Sequence, residues 1–169
     1  GGLRGRYERW ETARGERRED IDLGAINHIA RTFDGNRGWL VDRNRFVREL
    51  DGPELAEQRA QAFLTIHAVA LRARAGRVSR QGDALVIEPA GGRTLTVTFD
   101  PVTQLPATIA RQDADKTRVL SLADWRAVAG TRFPFAIRDG AGDPRDTAII
   151  TVEAVEPIDV GGNVAAIPT

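Results

Sequence analysis

The residues weighed for chemistry are two histidines, two serines and scattered carboxylates; cysteine is absent. That absence removes thiol nucleophiles, disulfides and cysteine-ligated metal together. Ser79 and Ser121 both lie outside a G-x-S-x-G nucleophile elbow. His28 sits beside Ile26 and Ile29 in an expected strand. His67 follows Phe63 by four residues and precedes Leu71 by four on an expected helix. Neither histidine has a second histidine or a carboxylate at metal-ligand spacing, so both read as packing residues and no metal is expected. Asp113 and Asp115 flank Ala114 in an expected hairpin tip, a solvated turn rather than a calcium loop. Asp34-Gly35, Asp51-Gly52 and Asp139-Gly140 are followed by no pattern that builds a site. Gly91-Gly92 lacks the glycine spacing and the lysine of a phosphate cradle. General acid–base work by a carboxylate pair stays open in principle, but no motif argues for it. No catalytic residue and no cofactor is assigned.

The aromatic residues give the one site-like signal. Trp10, Trp39 and Trp125 fall at or near expected strand ends, and Phe33, Phe99, Phe133 and Phe135 fall within strands. Taken singly such residues belong to a core. Taken together they suggest the lining of an apolar cavity.

The elements that must position them follow from periodicity. Period two dominates, and period two means strands. Leu95, Val97 and Phe99 share one face of Thr94–Phe99 while threonines take the other. Phe133, Phe135 and Ile137 alternate with Arg132 and Arg138; Ala148, Ile150 and Val152 alternate with Thr147, Thr151 and Glu153. One wet face per strand is the antiparallel pattern. Turn signals at Asp34–Gly38, Asp42–Arg45, Gly91-Gly92, Asp100-Pro101 and Asp139–Pro144 separate the runs, giving about eleven strands in a meander. One segment breaks the rule. Pro53 suits a first helical position, Glu54 and Glu57 suit a helix N-terminus, and Leu55, Ala62, Phe63, Ile66, Val69, Ala70 and Ala73 recur at helical spacing. The expected amphipathic helix spans about 53–75 and covers the concave face of the sheet.

At 169 residues and 41% hydrophobic, the chain suits one domain with a sizeable core. Its 24 basic residues, all arginine except Lys116, balance 24 acidic ones, so no net field draws nucleic acid or an anionic membrane. No apolar run approaches the ~20 residues of a membrane helix, and this stretch shows no signal-peptide pattern. The start at Gly1-Gly2, with no methionine anywhere, suggests a fragment of a longer protein.

Several pieces fall in a familiar order: Gly2-Leu3-Arg4-Gly5; Phe33-Asp34-Gly35 with Trp39 and Asp42; the helix; Pro89–Gly92; Phe99-Asp100-Pro101-Val102-Thr103-Gln104-Leu105-Pro106; and Asp124–Gly130 ahead of Phe133-Pro134-Phe135. Over about residues 2–155 this resembles the bacterial outer-membrane lipoprotein-sorting-like (LolA/LolB-like) domains, closest to the version found ahead of retropepsin-like aspartyl protease domains in exported proteins. The resemblance implies a mainly β fold, an open and incomplete antiparallel barrel of about eleven strands with a helix as lid, in a periplasmic or secreted protein. The carriers have a helix before the first strand, and this chain starts too late to show one. The protease signature Asp-Thr/Ser-Gly is missing too, since Asp34-Gly35 and Asp139-Gly140 have no residue between.

The expected function is therefore a non-enzymatic domain that holds an apolar ligand, an acyl chain or a lipid or lipoprotein-like molecule. Phe33, Trp39, Phe63, Ile66, Phe99 and Phe135 are the expected lining. Burial at ~25 cal/mol per Å² supplies the affinity. The alternative is a non-catalytic accessory domain of an exported aspartyl-type peptidase that binds a propeptide, substrate segment or partner at a sheet edge. Expected partners are an apolar small molecule or lipid and another domain of the same chain, on a monomer that does not span a membrane.

Overall fold

A computed structural model describes residues 2–12, 14–64, 76–113 and 115–158. The fold is mainly β: twelve strands in two antiparallel sheets, with one described α-helix, and the sheets do not close into a barrel. This replaces the single sheet of about eleven strands expected from periodicity. The strands divide between two compact units, residues 2–64 holding one sheet and residues 76–158 the other.

In the first unit, β1 (Arg6–Glu11), β2 (Arg17–Asp22), β3 (His28–Phe33), β4 (Gly38–Val41) and β5 (Val47–Glu49) pair in chain order. Aspartates close the turns. Asp34 Oδ1 accepts from the Asn36 and Arg37 amides at 2.8 and 2.7 Å, and Asp42 Oδ1 accepts from the Asn44 and Phe46 amides at 2.8 and 3.0 Å. Side-chain mimicry of a backbone turn is why Asp leads at such positions. Helix α1 (Gly52–Phe63) starts with proline in its first turn and ends at Leu64, whose amide bonds back to the Gln61 carbonyl at 3.1 Å. Glu54 ties it to β5 through a two-point ion pair with Arg48 at 2.6 and 2.7 Å. The rest of the expected helical span, with Ile66 and His67, lies outside the described residues.

In the second unit, β6 (Gly76–Gln81), β7 (Ala84–Pro89), β8 (Leu95–Phe99), β9 (Pro106–Asp113), β10 (Lys116–Val128), β11 (Thr131–Gly140) and β12 (Thr147–Thr151) form a seven-stranded meander. Every pair is antiparallel and every strand pairs only with its chain neighbours. Ala129 and Gly130 both take positive φ, 48 and 80, in the two-residue connection of β10 to β11. That is the I′ geometry, whose twist matches the flanking strands. A 3-10 turn (Pro144–Asp146), capped by Asp143, leads into β12.

Candidate functional site

Register assigns every side chain of the second sheet to a face, because strand side chains alternate. Ile87 pairs with Leu95, Leu85 with Val97, Val97 with Ile109, Ile109 with Leu120, Leu122 with Ile137 and Ile137 with Ile150. One face is therefore apolar from β7 to β12. The opposite face carries Thr96, Thr98, Thr108, Ser121 and Arg138, and its threonines bond across strands, Thr98 Oγ1 to Thr108 Oγ1 at 2.6 Å.

Burial along the apolar face is graded. Ile87, Leu95 and Val97 are fully buried, 2–4% exposed. Phe99, Ile109, Leu120, Leu122, Ile137 and Ile150 are only half-buried. Within its own unit this sheet has no second layer, since strands and one 3-10 turn are the described elements.

Near one end of the sheet β9 stops at Pro106, while β10 and β11 run on as a hairpin to Val128 and Thr131. The step encloses a solvent-open depression of about 360 Å³ lined by Asp100, Leu105, Pro106, Leu122, Asp124, Trp125 and Arg132, among others. Its wall is the turn Asp100–Leu105. Asp100 Oδ1 accepts from the Val102 amide, the Thr103 amide and the Thr103 hydroxyl at 3.1, 2.6 and 2.8 Å, and the Asp100 amide donates to the Leu105 carbonyl at 2.8 Å. The Asp-Pro-x-Thr-x-Leu-Pro run thus encodes a self-closed turn. Gln104 (φ 57) in this turn and Asp124 (φ 53) in β10 both hold left-handed backbone.

The two carboxylates here test the acid–base reading. Thr103 holds Asp100 below the usual carboxylate range through its amide and hydroxyl. Arg126 does the same to Asp124 by hydrogen bonding, its Nε donating to Oδ1 at 3.0 Å while its guanidinium lies 4.3 Å from the Phe135 ring centre. A two-carboxylate mechanism relies on one partner being raised, whereas hydrogen-bond donors lower both of these. The other end of the apolar face carries a row of ion pairs: Arg111–Asp139 at 2.9 Å, Arg118–Asp139 at 3.3 Å, Arg118–Asp146 at 2.9 Å and Lys116–Asp146 at 3.1 Å. Among the described residues no group of three or more acidic, histidine or cysteine side chains could hold a metal ion, and no helix is long and apolar enough to cross a membrane.

A second cluster, absent from the sequence reading, lies in the first unit. Tyr7, Arg9 and Glu11 of β1 pair in register with Ile21, Glu19 and Arg17 of β2, so they share a face. Arg17 and Glu19 are buried, 4% and 7% exposed, and form an ion pair. The Tyr7 hydroxyl donates to Glu19 Oε1 at 2.6 Å. Against the cost of burial, Arg17 and the Tyr7 hydroxyl draw the Glu19 carboxyl down to about 2. Burial and then the Glu19 charge push the Tyr7 phenol up to about 12. The cluster locks the register of β1 against β2.

The expected lining residues divide between the units. Phe99 and Phe135 share the apolar face of the second sheet, Phe135 6% exposed and Phe99 half-buried. Phe33 and Phe63 are buried in the first unit, 1% and 4% exposed. Trp39 is buried as well, but it stands opposite Thr32, whereas Phe33 stands opposite Gly38; Phe33 and Trp39 therefore point to opposite faces of the first sheet. Ile66 lies outside the described residues. His28, expected in packing, is exposed at the start of β3. Comparison with family models, with curated proteins and with solved structures finds no match for the chain.

Proposed function

We propose that the chain is a non-enzymatic binding domain that holds an apolar ligand, an acyl chain or lipid, against the apolar face of its seven-stranded sheet. The observation that supports this most is the graded burial of that face. Apolar strand residues that are buried at β7 and β8, and Phe135 at β11, share that face with the half-buried row Phe99, Ile109, Leu122 and Ile137. Removing such surface from water contributes ~25 cal/mol per Å², enough for a long acyl chain to gain several kcal/mol. Specificity is low, because an apolar surface discriminates poorly between ligands that differ by a methylene. The half-barrel with a helical lid, and work in the periplasm or outside the cell, belong to the same proposal through the resemblance to lipoprotein-sorting-like domains.

The test is uptake of a fluorescent fatty acid by the whole chain. Leu122 and Ile137 face each other across β10 and β11. Leu122→Gln with Ile137→Gln should weaken binding ~10-fold or more while circular dichroism shows the strands intact. Unchanged uptake by the folded double variant, or no uptake by the parent chain, removes the proposal.

A further inference from the structure

The two sheets have four terminal strands: β1 and β5 in one, β6 and β12 in the other. Natural edges resist pairing by carrying charge. β1 carries Arg6, Glu8, Arg9 and Glu11; β5 carries Arg48 and Glu49; β6 carries Arg77 and Arg80. β12 reads Thr-Ala-Ile-Ile-Thr, without charge and almost entirely β-branched. It is also open: Ile149 is 78% exposed, and Ala148 and Thr151 are exposed.

We propose that β12 pairs antiparallel with β12 of a second copy of this chain, in a two-fold register centred on Ile149. Hydrogen-bond parity carries the first step. In an antiparallel pair, facing residues alternate between bonded and unbonded. The Val152 amide donates to the Phe135 carbonyl at 2.9 Å, in the register that pairs Ile150 with Ile137 and Ala148 with Asp139. Residues 148, 150 and 152 thus spend their amides and carbonyls on β11. Gly140 and Thr147 fit the unbonded, closer spacing: a Cβ on Gly140 would lie 2.7 Å from the Thr147 hydroxyl. The N–H and C=O groups of Thr147, Ile149 and Thr151 therefore point outward along the free edge.

Those outward residues decide the occupant. Centring a second copy on Ile149 sets Ile149 against Ile149 and Thr147 against Thr151, all of them residues with outward groups. Every such donor and acceptor is met, in about six hydrogen bonds by the antiparallel rule, each joining one outward N–H to one outward C=O. β-branched and Thr–Thr neighbours are favourable across strands. Shifting the register by one pairing step in either direction leaves an outward residue of β12 without a β12 partner. On the apolar face Ile150 meets Ala148 of the second copy, so that face continues across the junction. The pairing is isologous and closes at two copies; the charged β6 edge at the far side of each sheet does not extend it. This goes beyond the ligand proposal and departs from the monomer expected from the sequence.

Sedimentation equilibrium of the whole chain tests it. The parent should show a monomer–dimer equilibrium, with dimer present at ~100 µM as a small interface allows. Ile149→Lys places like charges against each other on an already exposed side chain. Ile149→Pro removes an outward N–H without touching the β11 ladder. Each should weaken dimerisation ~10-fold or more. A parent that stays monomeric at that concentration overturns the proposal, as does a dimer that persists in both Ile149 variants. Binding of an unrelated extended peptide by a chain that stays monomeric also overturns it, in favour of peptide capture.

Discussion

Replacing Glu19 by alanine should destabilise the protein by ~3–5 kcal/mol, because it strands a buried guanidinium. Arg17 is 4% exposed and its ion pair is with Glu19; Glu11 stands 4.0 Å away as a weaker second partner. The Tyr7 hydroxyl also loses its acceptor. Removing the whole network should cost far less. Arg17→Met, Glu19→Leu and Tyr7→Phe together leave only Glu11 of the network, which keeps its ion pair with Arg9 at 3.2 Å, and such replacements are often near neutral. Urea denaturation of the single and triple variants checks this, and equal losses would show that the charges contribute by packing alone.

The same pair fixes an acid limb and an alkaline limb. Glu19 has its carboxyl drawn down to about 2 in the fold. Its contribution, about 3 kcal/mol, is complete above the unfolded value near 4.5 and fades as pH falls from there toward 2. Tyr7 is pushed up to about 12. Its neutral form is favoured in the fold, so that contribution is complete below pH ~10 and fades as pH rises through 12. Glu19→Ala should flatten the acid limb, and Tyr7→Phe should flatten the alkaline one.

Phe33→Ala should cost ~3–5 kcal/mol, against ~1–2 kcal/mol for Phe99→Ala. Phe33 is 1% exposed and among the largest fully buried side chains, so its loss leaves a cavity, whereas Phe99 is half-buried at the end of β8. The two changes should part again in ligand binding. The folded fraction of Phe33→Ala should keep its affinity for a fluorescent fatty acid, and Phe99→Ala should lose some. Equal stability losses would mean that Phe99 is core rather than lining.

Strand positions were legible wherever one face was dry. Thr94–Phe99 alternates cleanly, and β8 occupies Leu95–Phe99 with Leu95 and Val97 buried. β6 was missed for the opposite reason. Arg77-Val78-Ser79-Arg80-Gln81 is exposed at every position, so it carries no alternation to read. Periodicity also says nothing about which strands share a sheet, and the division into sheets of five and seven came only with pairing. The lining was the least legible part. Phe33 and Trp39 look alike in sequence, yet the register across the Asp34–Arg37 turn sends them to opposite faces. The buried Arg17–Glu19 pair was hidden because β1 and β2 carry charge on both faces, which reads as two wet faces.

In both sheets each strand adds beside the one made just before it, with no strand crossing over another. Loop closure is therefore met in short instalments, each hairpin templating the next. The β10–β11 hairpin, the longest pair and the one with a self-specified two-residue turn, is the natural nucleus. Such local connectivity places refolding toward the fast end for β proteins, in milliseconds rather than the seconds of long-range sandwiches. Stopped-flow tryptophan fluorescence would read that rate directly, and a dominant phase slower than ~1 s would mean that something other than strand-by-strand growth limits the chain.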